Sequence, residues 1–378
     1  MTIHKVICVV GARPNFMKIS PIMAQFNQTA GIEAKLVHTG QHYDAEMKHS
    51  FFEQLGIPEP DVDLEVGSGT HAIQTAEVMK RFEPVLDAER PSAILVVGDV
   101  NSTIACSLVA VKKNIPVIHV EAGLRSFDRA MPEEINRILT DQISDKLFTT
   151  EQEALVNLCN EGISEDKVHF VGNVMIDTLL KQLKSSIPAA TTIGELYLSM
   201  NIDKTGFALL TLHRPSNVDS RDVLEGLLIT IKTISESIPV VFPLHPRTRK
   251  QIELFNLGDI IQSANIIVKE PLGYHEMIGL MSRARVVLTD SGGIQEETTA
   301  LGVPCITMRE STERPITCTQ GTNTVVGIDT KKITSVFQDI MQSGGKKGKI
   351  PKYWDGKAAE RIIMIIKTWL DTKYPETH

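Results

Sequence analysis

The feature that most limits what this chain can fold into is a recurring unit. A short apolar run stops at a glycine or polar break, and residues at helical spacing follow. In the first half the runs are Lys5–Val10, Ala34–Thr39, Ala93–Val97, Pro116–Val120, Lys146–Thr149 and Lys167–Phe170. In the second they are Phe207–Leu212, Pro239–Leu244, Ile266–Lys269, Val286–Thr289 and Cys305–Met308. Strands alternating with helices imply parallel sheets, and such sheets carry their ligands beyond the carboxyl ends of the strands. The opening shows the pattern: Gly11-Ala12-Arg13-Pro14 breaks the first run, and Phe16, Ile19, Met23 and Phe26 recur at helical spacing behind it.

At 378 residues the chain is long enough for two such units. The expected division is residues 1–172 and 173–357. The Ser-Ser-Ile-Pro-Ala-Ala-Thr-Thr stretch at Ser185–Thr192 is the best linker candidate, behind a helix expected over Val174–Lys184. The broad apolar face of the last helix (Ile362, Ile363, Ile365, Ile366, Trp369, Leu370) must be covered, and a return of residues 358–378 to the first unit would cover it.

A net charge of −7 argues against a nucleic-acid or anionic-membrane surface. No apolar run approaches the length of a membrane span, and the N-terminus enters a strand without a leader, so a cytoplasmic protein is expected. The scattered cysteines (Cys8, Cys106, Cys159, Cys305, Cys318) read as buried thiols in a reducing compartment, and no Cys/His spacing suggests a metal site.

The most informative stretch is Val286-Val287-Leu288-Thr289-Asp290-Ser291-Gly292-Gly293-Ile294-Gln295-Glu296-Glu297. A buried strand runs into Ser291, a candidate N-cap, then two glycines that let a ligand approach the backbone, then a helix. A helix N-terminus offers unpaired N–H groups and a positive dipole end, which suits a diphosphate. An ordinary βα turn has the same composition, so weight falls on the rest of the chain. Arg13 and Lys18 lie near the first helix start, His42 in the loop after the second strand, Asp99 and Glu121 at strand ends, and His213 and His245 likewise. Asp99 also suits an N-cap, and Glu133 and Glu134 suit a first helical turn by charge alone; Glu121 gains nothing as a cap. His119 and His169 lie inside strands and read as satisfied core histidines. Two units facing each other would gather cations, carboxylates and imidazoles in one cleft, fit for an anionic substrate and proton transfer. No Gly-x-Gly-x-x-Gly follows any strand and there is no P-loop, which disfavours NAD redox chemistry and Walker-type phosphoryl transfer.

Taken in order, several motifs resemble the non-hydrolysing UDP-N-acetylglucosamine 2-epimerases nearly end to end. They are Gly11-Ala12-Arg13-Pro14, Gly40-Gln41-His42, Gly98-Asp99, His119-Val120-Glu121-Ala122-Gly123-Leu124-Arg125, Pro132-Glu133-Glu134-x-Asn136-Arg137, Gly172-Asn173, His213-Arg214, the Leu288–Glu297 run and Thr312-Glu313-Arg314-Pro315. The resemblance implies two Rossmann-like domains of glycosyltransferase B type facing across a cleft, with the C-terminal helix returning to the first domain. It implies a UDP-N-acetylhexosamine substrate, no cofactor or metal, and a homodimer. It gives acid–base roles to Asp99, Glu121, Glu133 and His213, diphosphate contacts to Arg13 and Lys18, a phosphate cradle to Ser291, Gly292 and Gly293, and a ribose contact to Glu297. Gln41, His42 and His245 match positions around a second, allosteric UDP-sugar in some bacterial members. Ala12 and Asn15 replace a commoner Thr and Glu, Pro215-Ser216 follow His213-Arg214 in place of Arg-Glu, Ile316 stands where an acid is usual, and Tyr353-Trp354-Asp355-Gly356 replaces a Pro-Tyr-Gly-Asp-Gly run. These departures leave the acid–base set intact and open an altered sugar. The expected reaction is C2 epimerisation by elimination and re-addition of UDP through a 2-acetamidoglucal. A modified UDP-N-acetylhexosamine, a hydrolysing epimerase, a UDP-sugar-dependent glycosyltransferase and a UDP-sugar sensor are the competing readings.

Overall fold

The structure, a computed structural model, describes residues 3–40, 55–262 and 265–375, and of Arg13 only the backbone. Gln41 and His42 therefore lie outside the described residues. The chain divides into two compact units, Met1–Thr178 with Lys352–His378, and Leu179–Pro351.

In the first unit the strands are β1 (His4–Val10), β2 (Ile32–His38), β3 (Val62–Asp63), β4 (Ala93–Val97), β5 (Val117–Val120), β6 (Lys146–Thr149) and β7 (Val168–Phe170). They form one parallel sheet in the order β3-β2-β1-β4-β5-β6-β7. The helices are α1 (Arg13–Phe26), α2 (His71–Glu89), α3 (Asn101–Lys112), α4 (Pro132–Ile143), α5 (Gln152–Asn160) and α6 (Val174–Gln182). Every residue of β4 is buried, as a strand covered on both faces requires. Strand order reverses between β1 and β4, and such a switch point opens a crevice at the carboxyl ends. Val9 pairs with Val96, so the Gly11 and Gly98 turns leave the sheet side by side there.

The second unit repeats this winding with β8 (Ala208–Thr211), β9 (Val240–Pro243), β10 (Ile266–Lys269), β11 (Val286–Thr289), β12 (Cys305–Thr307) and β13 (Asn323–Val325), in the order β10-β9-β8-β11-β12-β13. Its longer helices are α7 (Arg221–Ser235), α8 (Pro246–Leu254), α9 (Tyr274–Met281), α10 (Gly292–Leu301) and α11 (Thr330–Ser343). Leu210, Val240, Phe242, Val286 and Leu288 from the sheet share a core with Leu224, Leu228 and Ile231 of α7. The switch point lies between β8 and β11, where Thr289 pairs with Thr211 and the His213 and Ser291 loops emerge together. Strands β3 and β13, short and partly exposed at the two edges, have no counterpart among the runs read from the sequence.

The last helix, α12 (Ala358–Lys373), belongs to the first unit and buries Ile362, Ile363, Ile366 and Leu370 there. Asp177 of α6 accepts hydrogen bonds from the Ala358 and Ala359 N–H groups (3.1 and 2.8 Å), satisfying two orphan donors of that helix start. Thr178 Oγ1 donates to Met17 O (2.6 Å), while Gln182 Oε1 lies 2.9 Å from His275 Nε2 in the second unit. The change of unit thus falls within α6, ahead of the Ser185–Thr192 stretch.

Candidate active site

At the switch point of the first unit, Asn15 ties the β1 turn to β4. Its Oδ1 accepts from the Gly11 and Ala12 N–H groups (3.2 and 3.0 Å) and its Nδ2 donates to Val97 O (3.0 Å). One helical turn on, Lys18 Nζ reaches Glu121 Oε2 in an ion pair with both residues buried. The pair lies against Gly98, which has φ +69°. A Cβ there would stand 2.9 Å from Lys18 Nζ and 3.3 Å from Glu121 Oε2, so the close approach needs glycine as much as the backbone does. Glu121 itself has φ +71°, a left-handed conformation that costs a non-glycine residue about 1–3 kcal/mol and clusters at functional sites. Its N–H is held by Phe148 O (3.0 Å), which fixes where the carboxylate emerges.

Asp99 does not cap the following helix. Val100 occupies the N-cap position, and the Asp99 carboxylate is paired with Arg137 of α4. Arg137 also holds Glu134, whose oxygens accept the Ser126 and Phe127 N–H groups (2.9 Å each). Burial opposes ionisation of Glu134, but these backbone donors and Arg137 prevail and hold its carboxyl below the usual range. Glu134 is thus the buried structural acid of α4, and Glu133 is only half-buried. His119 is a satisfied core histidine, 2.6 Å from Asp141 through Nδ1 and 2.8 Å from Gly98 O through Nε2.

In the second unit, His213 Nδ1 lies 2.9 Å from Asp290 Oδ1. Asp290 Oδ2 accepts from the His213 and Arg214 N–H groups (2.9 and 2.8 Å). Burial raises the proton affinity of Asp290, yet the His213 bond and the backbone donors outweigh it and its carboxyl sits below the usual range. His245 follows β9, accepts the Arg247 N–H (3.2 Å) as cap of α8, and has its ring 5.4 Å from that of His213.

The glycine turn opens α10 as expected: Ser291 is at the N-cap position in extended conformation, and Gly292 and Gly293 are the first helical residues. The Ser291 side chain makes no capping bond, so the first-turn N–H groups are not taken by it. Glu296 and Glu297 are both buried. Arg314 Nε stands 2.8 Å from Glu296 Oε1, and Tyr274 Oη donates to Glu297 Oε1 (2.7 Å). Burial pushes Glu297 up to about 7; the Tyr274 bond opposes this and the Glu296 charge adds to it. A carboxyl raised in the folded state holds its proton better there than in the unfolded chain. Its contribution to stability is therefore complete below about 4.5 and is lost as pH rises through about 7. The melting temperature of the wild type should fall relative to that of Glu297→Gln across that window, and parallel pH profiles would contradict the assignment.

Lys18, Asp99 and Glu121 are thus gathered in the first unit, and His213, Ser291, Gly292, Gly293 and Glu297 in the second. Arg13 opens α1, and nothing is described of its side chain. Neither Asp290 nor Tyr274 was given a role from the sequence. Asp290 carried a signal, as an acid between a strand end and a glycine turn; Tyr274 carried none. Among the described residues no cluster of three or more His, Cys, Asp or Glu is arranged to hold a metal ion.

Two sheets with the same winding, each placing charged groups and helix starts at its switch point, define a protein of Rossmann-type α/β class. The sequence profile of the UDP-N-acetylglucosamine 2-epimerase family matches residues 24–367, and the chain belongs to that family. It is 43% identical over 367 residues to the UDP-N-acetylglucosamine 2-epimerase of Methanocaldococcus jannaschii, covering 96% of this chain and 98% of that one. It is 42% identical to a UDP-2,3-diacetamido-2,3-dideoxy-D-glucuronate 2-epimerase of Pseudomonas aeruginosa, covering 96% and 99%. The crystal structure of the M. jannaschii enzyme in complex with UDP-GlcNAc and UDP is similar with a TM-score of 0.84, covering 96% of this chain and 99% of that one at 42% identity. The fold is accordingly of glycosyltransferase B type.

Proposed function

We propose that the chain interconverts UDP-N-acetylglucosamine and UDP-N-acetylmannosamine by elimination and re-addition of UDP, with no cofactor. The observation that carries this reading is the buried Lys18–Glu121 pair, built on a left-handed glutamate against Gly98, in a chain of the epimerase family. The second unit binds the nucleotide. The α10 N-terminus takes the diphosphate, and Glu297 accepts from ribose hydroxyls. The first unit supplies acid–base groups, with Arg13 and Lys18 adding positive charge for the diphosphate.

No carbonyl acidifies the C2–H bond, so departure of the leaving group must do so. The C1–O bond breaks toward UDP, whose growing charge is stabilised by helix N–H groups and cations. A carboxylate among Asp99, Glu121 and Glu133 takes the C2 proton, and the electron pair forms the C1–C2 double bond of the glucal. UDP then adds back to C1 while another of these acids delivers a proton to the opposite face of C2. His213, its Nδ1 engaged by Asp290, keeps Nε2 for the departing diphosphate or for proton relay. We further read the working form as a cytoplasmic homodimer, and Gln41, His42 and His245 as parts of an allosteric UDP-sugar site.

A second reading, epimerisation at C2 of a UDP-diacetamido-uronate, is favoured by the 42% identity to the Pseudomonas enzyme. Turnover of each UDP-sugar by the purified protein, with products separated by anion exchange, decides between them. UDP-N-acetylglucosamine is expected to be converted. Exclusive turnover of the uronate would replace the first reading with the second, and free N-acetylmannosamine would replace both with hydrolysis.

A further inference from the structure

Arg309 follows β12 and is nine-tenths buried. Its Nη2 stands 2.9 Å from Glu313 Oε2. Its Nη1 is buried and has no hydrogen-bond partner among the described residues. A buried guanidinium N–H left unpaired is costly, and such a group calls for a ligand. The free nitrogen lies near the glycine turn: a Cβ placed on Gly292 would lie 4.0 Å from it. Gly292 is the first residue of α10, so Arg309 Nη1 lies beside the helix start whose first-turn N–H groups the Ser291 side chain does not cap.

Glu313 accounts for the orientation. Its Oε1 would be 3.2 Å from the same Cβ and is 3.9 Å from Arg214 Nη2. Burial disfavours its charge, but Arg314 and Arg309 hold its carboxyl down to about 2, so it stays ionised and keeps Arg309 by one edge. The pair is not needed to fasten this loop. Thr312 Oγ1 donates to Gln295 Oε1 (2.7 Å), Asn323 Nδ2 donates to the same oxygen (3.0 Å), and Arg314 is bound to Glu296.

We propose that Arg309 is a diphosphate-binding residue of the second unit, donating from Nη1 to a phosphate oxygen lodged at the Gly292–Gly293 turn, with Glu313 as its positioning residue. The inference rests on the nucleoside-diphosphate reading above. A charge-assisted hydrogen bond of this kind corresponds to about 10–100-fold in affinity.

The test is calorimetric titration of the full chain with UDP and with uridine. Arg309→Gln is expected to weaken UDP about 10–100-fold and to leave uridine unchanged. Unchanged UDP affinity, or an equal loss for UDP and uridine, would overturn the proposal and leave Arg309 a structural ion pair. Should Arg309→Gln fail to fold, Arg309→Lys decides. An ammonium held by Glu313 has no second fixed donor for the turn, so a loss of about tenfold confined to UDP is expected, and wild-type affinity overturns the proposal. Wild-type protein that bound neither UDP nor uridine would overturn the underlying reading instead.

Discussion

Glu121→Gln is expected to lower turnover of the UDP-sugar by about 10²–10⁴-fold, the range lost when a positioned proton carrier is removed. The substitution keeps the shape of the side chain and the hydrogen bond of its backbone N–H to Phe148 O. It removes the charge that the structure pairs with Lys18, leaving a buried ammonium beside a neutral amide. Breaking a buried pair from one side also costs on the order of 3–5 kcal/mol of stability. A lower melting temperature should therefore accompany the loss of rate. UDP affinity separates the two effects: it should not fall, because the second unit carries the nucleotide turn and Lys18 keeps its charge. Turnover within a few-fold of wild type would remove Glu121 from the mechanism.

The second large effect is expected at a residue that does not touch substrate in this account. Asp290 is fully buried, and its Oδ2 accepts two backbone N–H groups while Oδ1 engages His213 Nδ1. In Asp290→Asn the remaining oxygen is best used on the two N–H groups, which turns the amide NH₂ toward His213. The imidazole must then place its proton on Nε2, so that nitrogen can no longer accept one in the proposed proton relay. We expect kcat to fall on the order of 10²-fold with UDP affinity little changed, the outcome of fixing the wrong tautomer. Adding His213→Ala to Asp290→Asn should then cost little more, since both act through one ring. Independent, additive losses in the double variant would contradict this coupling.

Much of the architecture was legible because parallel strands buried on both faces are written as unbroken apolar runs. The longer strands of both sheets overlap the runs read from the sequence, although β2 carries Glu33 and Lys35 and starts two residues before its run. β3 and β13 escaped because two or three partly exposed edge residues carry no periodicity. The change of unit inside α6 escaped for a different reason. It is set by what Asp177, Thr178 and Gln182 bind, and each partner lies far along the sequence.

The site was legible by residue type and not by pairing. Asp99 suits an N-cap locally, and only its pairing with Arg137, 38 positions on, shows a different use. Helical spacing could not tell Glu133 from Glu134, and burial separates them. Arg309 had no motif or periodicity of its own; its orphaned nitrogen acquires meaning only beside Gly292. The left-handed backbone of Glu121 is likewise invisible in a sequence, though the absence of any capping role had already set that residue apart.

The central claim is that this chain moves a proton at C2 while UDP leaves and returns. Proton NMR of the purified protein with UDP-N-acetylglucosamine in D₂O, without added cofactor, tests it most directly. UDP-N-acetylmannosamine is expected to appear, with deuterium at C2 in both epimers. Epimerisation with full retention of the original C2 proton would contradict the elimination chemistry and the roles given to Asp99, Glu121 and Glu133.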